Sequence, residues 1–323
     1  MTGMSNNPPQ VHQPRPSGWL IAGCLLSVYV IWGTTYFAIK VGIEGSPPFF
    51  LIGTRFLVAG GLLLAWQAFR RRPMPTARQW RGAALVGFLL LVVGNGGVAV
   101  AERWVSSGAT VALISIMPLG TALWSGAFGE WPRRLEWVAI ALGGVGAAVM
   151  LMGRDLQGSM AGTLVILLGI TCWSLGTILS RRLDIPHGPT GFGAEMLSAG
   201  VLALVVSALL GEHWTLPHSE PVLIAWVYLV VFGSLIAFSA YRFVVERVSP
   251  TLAATYAYVN PPVALLVGWW LGNESFSANI LFGLPIVLCA VALHAWIQAR
   301  AASSPAPRYG APAVEPRTKS VAA

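Results

Sequence analysis

The amino-acid sequence predicts an all-α membrane protein, with ten transmembrane helices forming two inverted five-helix repeats. Three observations carry that reading. Ten apolar stretches follow one another, each about twenty residues long and so able to cross a hydrocarbon core of roughly 30 Å as a helix. The second five stretches repeat the first five in the same order. Arginine and lysine are distributed between the stretches so that nearly all of them fall on one side of a bilayer.

The predicted spans are 19–39, 48–69, 82–101, 108–128, 135–152, 161–180, 189–210, 221–241, 250–271 and 276–297. Helices are expected in place of barrel strands because the runs are continuously apolar, without alternation of polar and apolar residues. Pro47-Pro48, Pro189 and Pro250 stand where spans begin, a position at which the missing N–H costs little. Pro118, Pro261, Pro262 and Pro285 lie inside spans and predict kinks or local unwinding. The first repeat occupies 19–152 and the second 161–297. The flanking tails, 1–18 and the Pro/Ala-rich 298–323, are expected to be disordered and to be cytoplasmic.

The duplication is legible residue by residue. YVIWGTTYFAIK at 29–40 aligns with ITCWSLGTILSR at 170–181, setting Trp32 over Trp173. LVVGNGGVAVA at 91–101 faces VVFGSLIAFSA at 230–240. The stretch 106–130 aligns with 249–274, stacking Ser106 on Ser249, Pro118 on Pro261, Gly129 on Gly272 and, after a one-residue gap, Glu130 on Glu274. Two odd-numbered halves must insert in opposite orientations and can enclose a path between them, an arrangement typical of transporters.

With both termini in the cytoplasm, sixteen basic residues lie inside, from Arg15 through the Arg70–Arg72, Arg133–Arg134 and Arg181–Arg182 clusters to Lys319. Only Lys40, Arg103 and Arg154 fall outside, and Arg55 is within a span. The pairs Lys40/Glu44 and Arg242/Glu246, spaced i,i+4, are expected to be interfacial ion pairs at helix ends.

Composition excludes several classes. With 55% hydrophobic and 10% charged residues, too little polar surface is available to coat a water-soluble domain. The net charge of +8 has no basic stripe with interleaved aromatics, so topology explains it and nucleic acid is not an expected partner. Cys24, Cys172 and Cys289 all lie in apolar runs without C-x-x-C spacing, which argues against a disulfide framework or a zinc site. Ile21-Ala22-Gly23-Cys24 resembles a lipoprotein cleavage box but lacks an apolar region before it, and no removable signal peptide is expected. No metal and no cofactor is predicted; the partners are a small-molecule substrate and the bilayer.

Ionisable groups at membrane depth cost about 2.5–3.5 kcal/mol on insertion scales, so each is a site candidate. Arg55 lies about two turns inside the second span, and serves either to cap and snorkel or to contact substrate. Glu195, in the seventh span, is either a proton-coupling carboxylate or a satisfied interhelical hydrogen-bonder. Inversion puts these two at opposite depths, so no direct pair between them is implied. Asn95 and Glu102 share a face of the third span, where they line a vestibule or, for Glu102, mark the interface. Tyr29, Trp32 and Tyr36 share a face of the first span, as do Trp173 and Thr177 of the sixth. Such aromatics serve packing or, given the mid-span repeat-related Trp32 and Trp173, a cavity lining. Tyr256 and Asn260 precede Pro261-Pro262, where a kink would free carbonyls near the midplane; Ser115 and Met117-Pro118 are the counterpart. Small residues such as Gly94, Gly96, Gly97, Gly143, Gly144 and Gly146 read as packing surfaces.

Several of these motifs resemble a known family. IWGTTYFAIK, SPPFFLIGTRFLVAGGLLL (46–64), VGNGGVAVAE (93–102), EMLSAGV (195–201) and VSPTLAATYAYVNPPVALLVG (248–268) are similar to EamA-type exporters of the drug/metabolite transporter superfamily, in particular their bacterial YedA-like inner-membrane branch. The resemblance covers roughly 19–297. It implies inverted repeats, cytoplasmic termini and export of metabolites or drugs from a central cavity in the inner membrane. Met117 stands where the second repeat has Asn260, so the cavity is expected to be less symmetric than the repeat.

The expected function is secondary transport by alternating access, with helices 1–4 rocking against 6–9. The substrate-binding candidates are Trp32, Tyr36, Asn95, Trp173, Tyr256 and Asn260, with Glu195 and Glu102 as proton-coupling candidates. Passive facilitation of amino-acid efflux is the alternative mode. An intramembrane enzyme would need a nucleophile and base at membrane depth, and no such constellation is present. A structural or sensory membrane protein would favour a soluble output domain, for which the short loops leave no room.

Overall fold

Long apolar segments become helices, and a proline stands at the break in the fourth but not at the break in the ninth. The structure, a computed structural model, describes residues 17–104, 107–152, 160–272 and 278–303. Arg15, Ser106, Arg154, Glu274, Arg308, Arg317, Lys319 and most of both tails lie outside the described residues. In chain order the helices are α1 Gly18–Gly45, α2 Pro48–Phe69, α3 Ala77–Ala101, α4a Ser107–Ile114 and α4b Met117–Ala127, and α5 Arg134–Leu151. There follow α6 Met160–Leu179, α7 Pro189–Leu209, α8 Glu220–Val245, α9a Pro250–Ala253 and α9b Tyr256–Gly272, and α10 Ala278–Ser303. Six of them (α1, α2, α3, α6, α7 and α8) are long and apolar enough to cross a membrane. Helix α10 continues to Ser303, so 298–303 is helical where a disordered tail is expected from composition.

The neighbours of the second half repeat those of the first. Helix α1 packs on α8 and α9b, while α6 packs on α3 and α4b; α2 pairs with α7, and α5 with α10. Each half thus sends its first helix into the other half. Helices 1–4 therefore do not form one bundle opposed to 6–9, as the linear order implies. The contacts group α1 with α8 and α9, and α6 with α3 and α4.

Helices α2 and α7 approach most closely. A Cβ at Gly60 would strike the backbone nitrogen of Leu197, and one at Gly200 the backbone nitrogen of Leu57. Small residues that let backbones meet are the usual adhesive where lipid removes the hydrophobic drive. At one end of this pair, the backbone N–H groups of Phe49 and Phe50 donate to the Glu212 carboxylate at 3.3 and 3.0 Å. That carboxylate caps the N-terminus of α2 and complements its dipole.

Polar loop contacts define two ends of the molecule. Ser46 Oγ donates to Thr215 O at the end that carries Glu212. At the opposite end, Arg182 pairs with Glu130 at 2.8 Å, Arg181 donates to Val248 O, and Arg78 lies 3.8 Å from Asp184. This second end also carries Arg70–Arg72, Arg81 and Arg133–Arg134 by chain position, and is called the basic end below.

Two helices contain wide turns at matching places in the repeat. Residues Phe88–Asn95 of α3 and Leu229–Phe238 of α8 are π-helical. Turns of this kind leave carbonyls open to other partners and recur at functional sites. Two other helices are broken. In the fourth, α4a stops before Met117-Pro118, as the proline predicts. In the ninth, the break at Ala254–Thr255 comes a turn and a half before Pro261-Pro262, which stay within α9b. Pro261 has no N–H for the carbonyl of Ala257, and Ser115 Oγ donates to that oxygen at 3.0 Å instead. The freed acceptor is satisfied across helices, so the helix need not break there. Ser115→Ala is expected to destabilise the fold by about 0.5–1.5 kcal/mol, read as a lowered unfolding midpoint in detergent; an unchanged midpoint would show that the carbonyl finds another donor.

Candidate functional site

Where α1, α2, α3, α4, α6 and α9 meet, the side chains leave a cavity of about 50 Å³. That volume holds a few water molecules and is well below the roughly 300 Å³ of a small-ligand pocket. Trp32, Thr35, Tyr36, Arg55, Asn95, Met117, Trp173 and Tyr256 are among its lining residues. By chain position it occupies the half of the molecule away from the basic end.

An aromatic cluster closes the cavity toward the basic end. The ring of Trp32 stands 5.4 Å from Trp173, edge to face, and 4.9 Å from both Tyr241 and Tyr256. The polar edges of these rings are tied down. Trp32 Nε1 donates to Gly233 O at 3.1 Å, and Trp173 Nε1 to Tyr241 Oη at 3.1 Å. Tyr241 Oη also shares a hydrogen bond with Thr177 Oγ1 (2.6 Å), and Tyr256 Oη donates to Met117 Sδ (2.8 Å). Rings with satisfied polar edges form a plug that does not need water.

Each tryptophan reaches a glycine of the opposite half, Trp32 by a hydrogen bond to its carbonyl and Trp173 by packing on it. Trp32 of α1 meets Gly233 in the π-stretch of α8, and Trp173 of α6 lies on Gly94 in the π-stretch of α3. A Cβ at Gly94 would stand 2.7 Å from Trp173 Cε3, so only glycine leaves room for the ring. Gly94 and Gly233 occupy one position in the aligned repeats, as do Trp32 and Trp173.

Each ionisable residue inside the helices has a different fate. Arg55 is 2% exposed and lines the cavity. Its Nε donates to Ser234 Oγ at 2.8 Å, and Nη1 has no partner among the described residues. Glu195 and Arg242, 0% and 2% exposed, pair at 2.8 Å on the basic side of the aromatic plug. Arg242 also donates to Ser180 Oγ at 2.9 Å. This corrects the expected Arg242/Glu246 helix-end pair. A buried carboxylate must be matched by a buried cation, whereas an exposed i,i+4 pair gives only a few tenths of a kcal/mol. Glu246 instead pairs with Arg247 at 3.1 Å.

The structure brings Trp32, Tyr36, Asn95, Trp173, Tyr256 and Arg55 to one cavity. Asn260, 0% exposed, is not in the lining but is hydrogen-bonded to Tyr36, which is, and its amide Nδ2 is oriented toward the carbonyl oxygens of Tyr256 and Tyr29, 3.1 Å from each. Asn260 thereby fixes α9b against α1, and Tyr29 Oη adds a 2.7 Å hydrogen bond with Thr255 Oγ1. Glu102 is half-buried at the C-terminal end of α3, outside the lining. Sequence reasoning set Arg242 at the interface and did not single out Tyr241 or Ser234. For Arg242 a signal was present: the apolar Phe243-Val244-Val245 that follows it shows the helix staying buried past the predicted span end. For Ser234 the only signal was its alignment with Asn95.

Comparisons with known proteins agree with this architecture. The inner membrane transporter YedA of Escherichia coli (strain K12) is 43% identical over 272 residues, covering 84% of this chain and 89% of YedA. The transporter YoaV of Bacillus subtilis (strain 168) is 23% identical, covering 85% of this chain and 97% of its own. A solved crystal structure of 20% identity superposes with a TM-score of 0.71 over 89% of this chain and all of that one, a likeness of fold. Residues 19–152 and 160–296 each match the EamA-like transporter family. Two copies of that family's unit fill almost the whole of the described helices, and the chain accordingly belongs to the EamA-like transporters of the inner membrane, a family of carriers and not of enzymes.

Proposed function

We propose that this protein is a secondary exporter of small metabolites, such as amino acids or related compounds, or of drugs, working by alternating access at the central cavity. In this reading all ten helices cross the inner membrane as two inverted repeats, and the basic end with both termini faces the cytoplasm. The positive-inside distribution of arginine supports that orientation. The observation that carries the reading is that Trp32 and Trp173, aligned in the repeat, each meet a glycine of the opposite half and meet each other edge to face, which supports their acting as a gate between the halves. Inverted repeats around one site give two end states of similar energy, one open to each side. With the plug on the cytoplasmic side, this conformation is closed inward. Rocking of α1, α8 and α9 against α6, α3 and α4 would part Trp32 from Trp173 and open that side.

Overexpression with an empty-vector control, followed by quantification of metabolites in the medium, tests export. Accumulation of one solute class is expected, and at least a tenfold loss of its rate in Trp32→Ala or Trp173→Ala. An unchanged medium despite confirmed membrane expression would sink the exporter reading.

Coupling is assigned to a carboxylate. Glu195 is the first candidate because protonation would release Arg242 beneath the plug, and Glu102 is the second. In proteoliposomes, Glu195→Gln combined with Arg242→Gln is expected to abolish the response to a pH gradient while preserving solute exchange. A wild-type protein without any such response would establish facilitated diffusion instead. A response lost only in Glu102→Gln would move the coupling site to α3.

A further inference from the structure

The chain buries two guanidinium groups and treats them differently. Arg242 receives a carboxylate and a hydroxyl, and lies away from the cavity. Arg55 is equally buried and faces the cavity, yet among the described residues no carboxylate lies within 4.0 Å of it. Among the described residues its one polar side-chain partner is Ser234, whose hydroxyl proton is directed to Leu229 O at 2.9 Å, leaving a lone pair for Arg55 Nε. The guanidinium is also steadied over the Phe56 ring, 4.6 Å from its centroid. These contacts orient the group without neutralising it. A buried cation without a counter-charge is costly, and the cost is offset when an anion arrives.

The surroundings keep space for that anion. A Cβ at Gly233 would stand 3.0 Å from Arg55 Nη2 and 3.1 Å from Thr35 Cγ2, so the bare backbone there leaves the fork unobstructed. Nη1, on the same fork, has no partner among the described residues. The remaining walls are mainly Trp32, Tyr36, Trp173, Met117 and Tyr256, which favour an apolar or aromatic body. A planar guanidinium with open donors matches the two oxygens of a carboxylate.

We infer that the central cavity recognises the carboxylate of an amphipathic organic anion through Arg55, with the aromatic wall receiving its apolar part. This rests on the cavity's being the transport site and deepens that reading by naming the substrate's charge. Its present volume requires the cavity to widen when the anion enters.

The test uses full-length purified protein in nanodiscs and two matched sets of probes. The first is 3-phenylpropanoate with 3-phenylpropanamide, and the second is 4-methylpentanoate with 4-methylpentanamide. Saturable thermal stabilisation and tryptophan fluorescence are read for wild type, Arg55→Gln and Arg55→Lys. At least one carboxylate is expected to bind at least tenfold more tightly than its amide. Arg55→Gln should abolish that preference, and Arg55→Lys should keep part of it. Because the wild-type comparison of acid with amide needs no variant, a poorly folding Arg55→Gln does not blunt the test. Equal binding of acids and amides, no binding of either acid, or an undiminished preference in Arg55→Gln would each overturn the inference. Export measured in the same variants separates the two readings. Solute export by wild type that Arg55→Gln leaves intact refutes the carboxylate site alone, whereas the absence of any export by wild type refutes the transporter reading itself.

Discussion

Replacing Glu195 with Gln is expected to destabilise the protein by about 3–5 kcal/mol, because it strands Arg242 as an unpaired charge in a dry interior. The pair is enclosed on every side: Glu195 is 0% exposed, Arg242 is 2% exposed, and their contact is 2.8 Å. Arg242→Gln should cost a similar amount from the other partner, since Glu195 would lose its cation. The double variant Glu195→Gln/Arg242→Gln should recover most of the loss, because two amides of comparable size carry no Born penalty and can bond to each other. Unfolding midpoints of the three proteins in one detergent form the cycle. Additive losses in the double variant would mean that the two groups act independently, contrary to the geometry. The location of the pair, between the aromatic plug and the basic end, makes it a fastening of the closed side. A protein with the double neutral variant should therefore be stable yet open more readily at the basic end, detectable as faster labelling of a cysteine introduced at Thr177 or Ser180.

Adding a side chain where α2 crosses α7 should be nearly as damaging. Gly60→Ala is expected to cost about 1–3 kcal/mol, the range for overfilling a tight core, and Gly60→Leu to prevent assembly altogether. The group that a new Cβ would strike is the backbone of Leu197 and not a flexible side-chain tip, so the helices must separate to admit it. Gly200 reciprocates against the backbone of Leu57, and Gly200→Ala should behave alike. Gly61 provides the control. It is the neighbouring residue on the same helix with nothing within 4 Å of a built Cβ, so Gly61→Ala should be neutral or slightly stabilising by helix propensity. Yields of monodisperse protein and midpoints of the variants decide the matter. If Gly60→Ala matched Gly61→Ala, close approach of the two backbones would not be a determinant of stability.

The positions of the helices are largely legible in the amino-acid sequence. Apolar length and proline placement put helices at 48–69 and 189–210, and the chain forms them at Pro48–Phe69 and Pro189–Leu209. These features are local, because a membrane admits backbone only when its hydrogen bonds are satisfied within the segment. The repeat is equally legible, and it points to Trp32 and Trp173 as partners. What the linear order misleads on is the grouping of helices. Exchange of α1 and α6 between halves is a matter of packing, to which apolar residues facing lipid and apolar residues facing protein contribute identically in sequence.

The same division runs through the site. Residue type and repeat position alone determined that an arginine, a glutamate and a pair of tryptophans would sit within the apolar helices of this chain. Only the tertiary structure decided that Glu195 meets Arg242, that Asn260 joins the carbonyls of Tyr29 and Tyr256 to the cavity-lining Tyr36, and that Arg55 is left facing the cavity. Partners 47 to 201 residues apart, such as Glu195 with Arg242 and Trp32 with Gly233, are chosen by helix rotation and crossing. The π-turns in α3 and α8 alter that rotation, and nothing in a run of valine, phenylalanine and glycine announces them. Burial then settles which charges must pair, because a low-dielectric interior penalises each unpaired charge far more than water does.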